Sequence, residues 1–158
     1  MQTLRLTLLL IVHGLVGVAL LGATTHQAVA LLRGGGRARD GSFTARYAAA
    51  GRQGFAAAIV ALFAATVALG AVIYPDYRLD VRVPFEEMGL GWAIGSFELK
   101  EHFAGIALGI LPLYAVLWRP QFADSHRRDR SALSLLLAAV AWWDFVVGHV
   151  LNNIRGFG

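Results

Sequence analysis

Apolar residues run along this chain in four long blocks, and the charged residues fall between them. Leu6 to Leu32 contains no Asp, Glu, Lys or Arg, and neither does Gln53 to Pro75. Phe103 to Trp118 forms a third run. Ser131 to Ile154 forms a fourth, interrupted by Asp144 and His149. A helix needs about 20 apolar residues to cross the ~30 Å hydrocarbon core of a bilayer. The third run is short of that, so its span must begin near Phe97 or Leu99, which draws Glu101 and His102 into its outer turns. The pattern predicts spans over about residues 4–32, 53–74, 98–118 and 131–152, within one four-helix domain covering 1–158. The first run is too long for the apolar region of a signal peptide and carries His13, so it is expected to remain a span.

The segment between spans two and three has a different pattern. Tyr77, Leu79, Val81 and Val83 alternate with Arg78, Asp80 and Arg82, the period-two signature of a short extended piece. Pro84 ends it, and Phe85 to Phe97 is expected as a short interfacial helix with Trp92 at headgroup depth. Residues 34–51 are rich in Gly, Arg and Ala and are expected as a flexible turn with an interfacial segment.

Charge turns this pattern into a topology. Arg33, Arg37, Arg39, Arg46 and Arg52 lie between spans one and two, and Arg119, Arg127, Arg128 and Arg130 between spans three and four. The remaining loop is rich in acids: Asp76, Asp80, Glu86, Glu87 and Glu98. Positive residues concentrate in cytoplasmic loops. Both termini and the 75–97 loop are therefore predicted on the outer, periplasmic side of a bacterial-type inner membrane. The predicted fold class is an all-α integral membrane protein, a four-helix bundle with a small structured outer loop.

Composition fits the same class. Hydrophobic residues make up 57% of the 158 and charged ones only 15%, against about 25% charged in soluble domains. The net charge of +4 is accounted for by the two Arg-rich loops, so no nucleic-acid partner is implied. There is no cysteine, which excludes disulfides, thiolate catalysis, iron–sulfur clusters and Cys-type zinc sites. Histidine is left as the chief ligand candidate.

Ionisable residues inside a span are costly and point to function. His13, His102 and His149 come from three different spans, and counted from the outer ends all three fall in the outer leaflet. Asp144 lies on span four, about 140° around the helix from His149, at a depth where it can meet His13 across the bundle. Gly105 and Gly109 share a helical stripe with His102 and leave room for a flat ligand. Two histidines from different helices at matched depth suit a b-type haem, with the propionates held by Arg78, Arg82 and Arg155. Glu101 and Asp144 would orient the ligands or handle protons. His26, nearer the cytoplasmic end, is expected to be structural, and the stretch Glu98 to Glu101 is expected to be a solvated helix start with Lys100 snorkelling.

In plan the chain resembles small four-helix membrane cytochromes and quinone-reactive anchor subunits, a likeness that rests on architecture. It implies an inner-membrane electron-transfer subunit with one haem b near the outer face and a quinone or a periplasmic redox protein as partner. One alternative is a non-catalytic accessory or assembly subunit of a larger membrane complex, docking through Gly54, Ala58, Ala61, Ala65 and Ala68. Another is a copper or zinc site, or a transporter, using His13, His102 and His149. If the protein is an enzyme, its chemistry is expected to be redox. No Ser/His pair with an orienting acid supports a hydrolase, and no phosphate loop or nucleotide motif is present.

Overall fold

The computed structural model describes residues 2–32, 53–122 and 125–156. Among them the chain is all-helical, with no strand. Helix α1 spans Gln2–Leu32, α2 Gln53–Tyr77, α3 Val83–Glu87, α4 Gly91–Leu117 and α5 Arg127–Gly156. Four of them are long and apolar enough to cross a membrane. They form a ring in which α1 packs against α2 and α5, α4 packs against α5, and α2 meets α4 least extensively. Large apolar side chains such as Leu4, Leu15, Ile106 and Leu113 point outwards and are more than half exposed. In water that surface would drive association; in a bilayer it is the lipid-facing surface.

The 78–90 segment closes one end of the ring, here termed the cap end. The expected extended stretch from Tyr77 to Val83 is instead helical. Arg78–Arg82 is one turn of π-helix that continues α2 and leads into α3. The physical reason is which apolar residues find a partner. Leu79 is 73% exposed and Val83 43%, whereas Val81 and Phe85 are buried in a cluster that Tyr77 joins. Tyr77, Val81 and Phe85 recur every four residues, which is a helical stripe. The expected interfacial helix over Phe85–Phe97 is also replaced. Helix α3 ends at Glu87, and α4 begins at Gly91, six residues ahead of the predicted start near Phe97. Between them Leu90 N–H donates to the Phe85 carbonyl at 2.9 Å and Gly89 N–H to that of Glu86 at 3.1 Å. This is a Schellman closure, and its left-handed position, Gly89 with φ of 69°, favours glycine.

Three layers stack along the interior. Nearest the cap lies the cluster of Val81, Phe85, Ala93, Val147 and Leu151. The middle is apolar: Leu20, Ile59, Phe63, Ala107, Leu111 and Leu137. Towards the other end comes a buried polar layer, where Tyr114 Oη donates to Gln27 Oε1 at 2.6 Å, with Thr24 and Ser134 also buried. Trp118 closes this end under the Arg130 guanidinium, 5.0 Å from its ring centre. The cation–π contact and the Tyr114–Gln27 bond tie α4 to α5 and to α1.

Candidate functional site

Between the cap cluster and the apolar middle lies a fourth, polar level, to which all four long helices contribute. Helix α1 supplies His13, on the same stripe as the buried Leu20 and Thr24. Its ring is hydrogen-bonded to the backbone of Thr66 on α2. One turn along α2, a Cβ added at Gly70 would lie 3.5 Å from His13 Cε1, so the glycine admits the imidazole edge. Helix α5 supplies Asp144, half-buried, with Gly148 one turn away. Helix α4 supplies Lys100 and Glu101, and the Lys100 Nζ donates to Glu101 Oε1 at 3.0 Å.

Lys100 holds this level together. Its side chain is only 17% exposed. It lies along α5, with Cε 3.9 Å from where a Gly148 Cβ would sit, and its ammonium is 4.9 Å from the centre of the Phe97 ring. The Lys100–Glu101 pair acts electrostatically on both His13 and Asp144. The expected solvated helix start at Glu98–Glu101 is therefore a mid-helix element, with its cation turned into the bundle. Above the lysine, Phe97 stacks on Tyr77 at 3.6 Å and 11° between planes, with Tyr74 stacked alongside. This aromatic lid covers the cap side of the site.

Three atoms at this level and in its aromatic lid are buried without a hydrogen-bond partner among the described residues: His13 Nδ1, Asp144 Oδ1 and Tyr77 Oη. A buried polar group left unpaired costs about 1–3 kcal/mol, and the carboxyl and imidazole can each accept or donate according to where their proton lies.

The other predicted site residues lie elsewhere. His102 is exposed, and its Nδ1 is 2.6 Å from the Glu98 carbonyl one turn back. Gly105 and Gly109 share this outward face, and nothing lies within 4 Å of a Cβ built at either. The glycines thus border no pocket within the chain. His149 is exposed on α5, with its ring parallel to that of Phe145 at 6.2 Å. On α4 and α5 the inward residues Lys100 and Asp144 sit about 140–160° from these histidines, so His13, His102 and His149 do not converge. Among the described residues no three His, Asp or Glu side chains form a set that could hold a metal ion. Arg82 is committed to Glu86 at 2.9 Å and Glu98 at 3.5 Å, while Arg78 lies exposed in an open groove with Pro75 and Leu79. His26 meets the Phe55 ring at 5.7 Å. Gly54, Ala58, Ala61, Ala65 and Ala68 all face outwards along α2. Residues 34–51 and the Arg155 side chain lie outside the described residues.

Sequence reasoning placed His13 and Asp144 at one depth but missed Lys100, Thr66 and Gly70. The available signal was helical phase: Lys100 is in register with Ala104, Ala107 and Leu111, the inward stripe of α4. No known protein family, curated protein or solved structure matches this chain.

Proposed function

We propose that the protein is a subunit of a membrane electron-transfer chain that takes up or releases protons within the bilayer, at His13, Lys100, Glu101 and Asp144. The observation that carries this reading is the pair of ionisable side chains, His13 on α1 and Asp144 on α5, each with a buried unpartnered atom, together with a lysine turned inward from α4. Intramembrane carboxylates and histidines facing a bundle interior are the usual parts of proton relays. The apolar middle level, with Ile59 and Leu137 fully buried, lies between this site and the far end. Proton exchange is therefore directed away from the far end, by way of Glu101, which stays 46% exposed. The Arg-rich segments at the other end support a bacterial-type inner-membrane setting with the cap facing outwards.

The test is infrared difference spectroscopy on protein reconstituted in sealed, uniformly oriented vesicles. A carboxyl C=O band that responds to pH on the cap side alone, and disappears in Asp144→Asn, is expected. The charged groups that act on Asp144 are Lys100 and Glu101 of α4, and Tyr77 at the end of α2 is coupled in turn to Glu101. A band that follows both sides equally, or no titrating carboxyl band, refutes the reading.

One observation favours a b-type haem as well. The His102 Nδ1 bonded to the Glu98 carbonyl leaves Nε2 pointing outwards, which is how a ligating imidazole is oriented. Since His102 and His149 face outwards on different helices, such a haem would sit on the surface of the bundle beside Gly105 and Gly109, its second axial ligand coming from a partner. A reduced-minus-oxidised spectrum of protein made with ample haem decides this: an α-band lost in His102→Ala supports it, and its absence in the wild type rejects it.

A further inference from the structure

The cap end carries an open groove on its outer surface, remote in chemistry from the intrabundle site. The groove runs along one face of the helical segment from the end of α2 into α3. It is lined by Pro75, Arg78, Leu79, Arg82, Val83 and Glu86 and holds about 550 Å³ of space. These positions follow one another three and four apart, as one helical stripe does. The stripe continues the outward face of α2, on which Ala65, Ala68 and Val72 are exposed. Helix α2 has 25 residues, which is about 37 Å at the helical rise against ~30 Å of hydrocarbon. A groove beginning at Pro75 therefore lies at head-group level, on the side that faces lipid.

The charges in this groove are divided between its two ends. Arg82 Nε donates to Glu86 Oε1 at 2.9 Å, and Arg82 Nη1 lies 3.5 Å from Glu98 Oε1, so this guanidinium already meets two carboxylates. Arg78 is exposed and has no hydrogen-bond or ion-pair partner among the described residues. The Glu86 side chain is 51% exposed, and a carboxylate has about four acceptor sites, so it has room for a further donor. With Glu98 included, two guanidiniums face two carboxylates and the net charge is zero. Asp80, also exposed, adds negative charge nearby. A purely anionic head group gains no net attraction from this set. A zwitterion gains at both ends. Between the charged groups, Leu79 is 73% exposed and Val83 43%, an apolar surface beside the head-group charges.

We infer that the groove binds the head group of a phospholipid that ends in a primary ammonium, of the ethanolamine type. Arg78 donates to the phosphate, joined by the N–H groups of Arg82 that its carboxylates leave over, and the ammonium donates to Glu86. The short two-carbon link between phosphate and ammonium suits this order, because Arg82 and Glu86 are on adjacent turns and already in contact. The acyl chains then run along the exposed apolar stripe of α2. The inference is independent of the proton-exchange reading.

The full-length protein is released from micelles holding equal amounts of dioleoyl phosphatidylethanolamine, phosphatidylcholine and phosphatidylglycerol, and native mass spectrometry counts the lipids it retains. The ethanolamine lipid is expected to be retained about tenfold over the choline lipid, which carries the same charges but has no ammonium N–H. Glu86→Gln should bring the ethanolamine lipid down to the level of the choline lipid. Arg78→Gln should lower the retention of both, and Glu87→Gln, outside the groove, should change neither. The wild-type comparison needs no variant, and all three substitutions fall on exposed side chains, where folding is little affected. Equal retention of the ethanolamine and choline lipids, preference for the anionic glycerol lipid, a preference that survives Glu86→Gln, or retention unchanged in Arg78→Gln overturns the proposal.

Discussion

Replacing Asp144 by leucine should stabilise the fold while removing proton exchange. The carboxylate is half-buried, and one oxygen is buried without a partner among the described residues. On insertion scales, Asp at mid-span costs about 2.5–3.5 kcal/mol and Leu gains about 0.3–0.6 kcal/mol, so the exchange is worth at most about 3–4 kcal/mol. Two features reduce this. Asp144 lies in the cap half of its span, where the penalty is smaller, and the charge on Lys100 already compensates part of it. Removing one member of an ion pair normally exposes the cost of the other, but here Lys100 keeps Glu101 at 3.0 Å. The net expectation is a gain of about 1–2 kcal/mol. It is measured as a rise in the midpoint of SDS-induced unfolding, followed by far-UV circular dichroism. A Lys100→Met background gives the control, and with Glu101 serving the lysine the coupling between the two substitutions should stay below about 1 kcal/mol. A loss of more than about 1 kcal/mol in Asp144→Leu would refute the reasoning. It would show that the carboxylate holds the helices together, as a structural partner of Lys100.

Tyr114→Phe removes the 2.6 Å bond to Gln27 and should destabilise by about 1 kcal/mol, since interhelical hydrogen bonds in membranes average about 0.6 and reach about 1.7 kcal/mol; the same SDS titration measures it. At Gly70, alanine places its methyl 3.5 Å from His13 Cε1, an ordinary contact, and should gain about 0.5–1 kcal/mol from helix propensity. Leucine at the same position drives the imidazole from its seat and should lower stability, and the His13 ring resonances read by NMR should shift far more than in Gly70→Ala. His102→Ala should leave the SDS midpoint within about 0.5 kcal/mol of wild type, because its exposed ring bonds only within its own helix, whereas a larger fall would give it a packing role.

The four spans were legible because each is an apolar block of membrane length, and lipid demands little beyond length and apolarity. Which face of each helix turns inward was harder. In a soluble bundle the polar face marks the outside, but here lipid is as apolar as the core, and inside and outside differ only in a few polar and small residues. His13 was legible because its stripe runs through Leu20 and Thr24, both buried. Glycine was ambiguous. Gly70 and Gly148 lie against His13 and Lys100, whereas Gly105 and Gly109 border nothing within 4 Å, and sequence spacing alone makes the two pairs equivalent. The cap defeated the period-two reading because Leu79 and Val83 are apolar yet outward-facing, which apolar residues tolerate next to headgroups.

Lys100 shows why charge patterning misled at one point and what that reveals. A lysine between two glutamates near a helix start is ordinarily solvated, and its neighbours Glu98 and Glu101 do remain about half exposed. The three residues nevertheless lie at different helical phases. Lys100 falls on the stripe that continues through Ala104, Ala107 and Leu111, so its long stem packs along α5 while its ammonium returns to Glu101. The chain has thirteen arginines and this single lysine. The basic residue turned into the bundle at this level is the type with a compact ammonium on a flexible stem and three rotatable donors, whereas a guanidinium presents five donors in a fixed fork. A site whose polar contact is one Glu101 carboxylate oxygen cannot satisfy an arginine fork, yet it can hold a lysine. The identity of the residue at position 100 thus fits its setting: a long apolar stem that packs along α5 and a single ammonium that meets a single carboxylate.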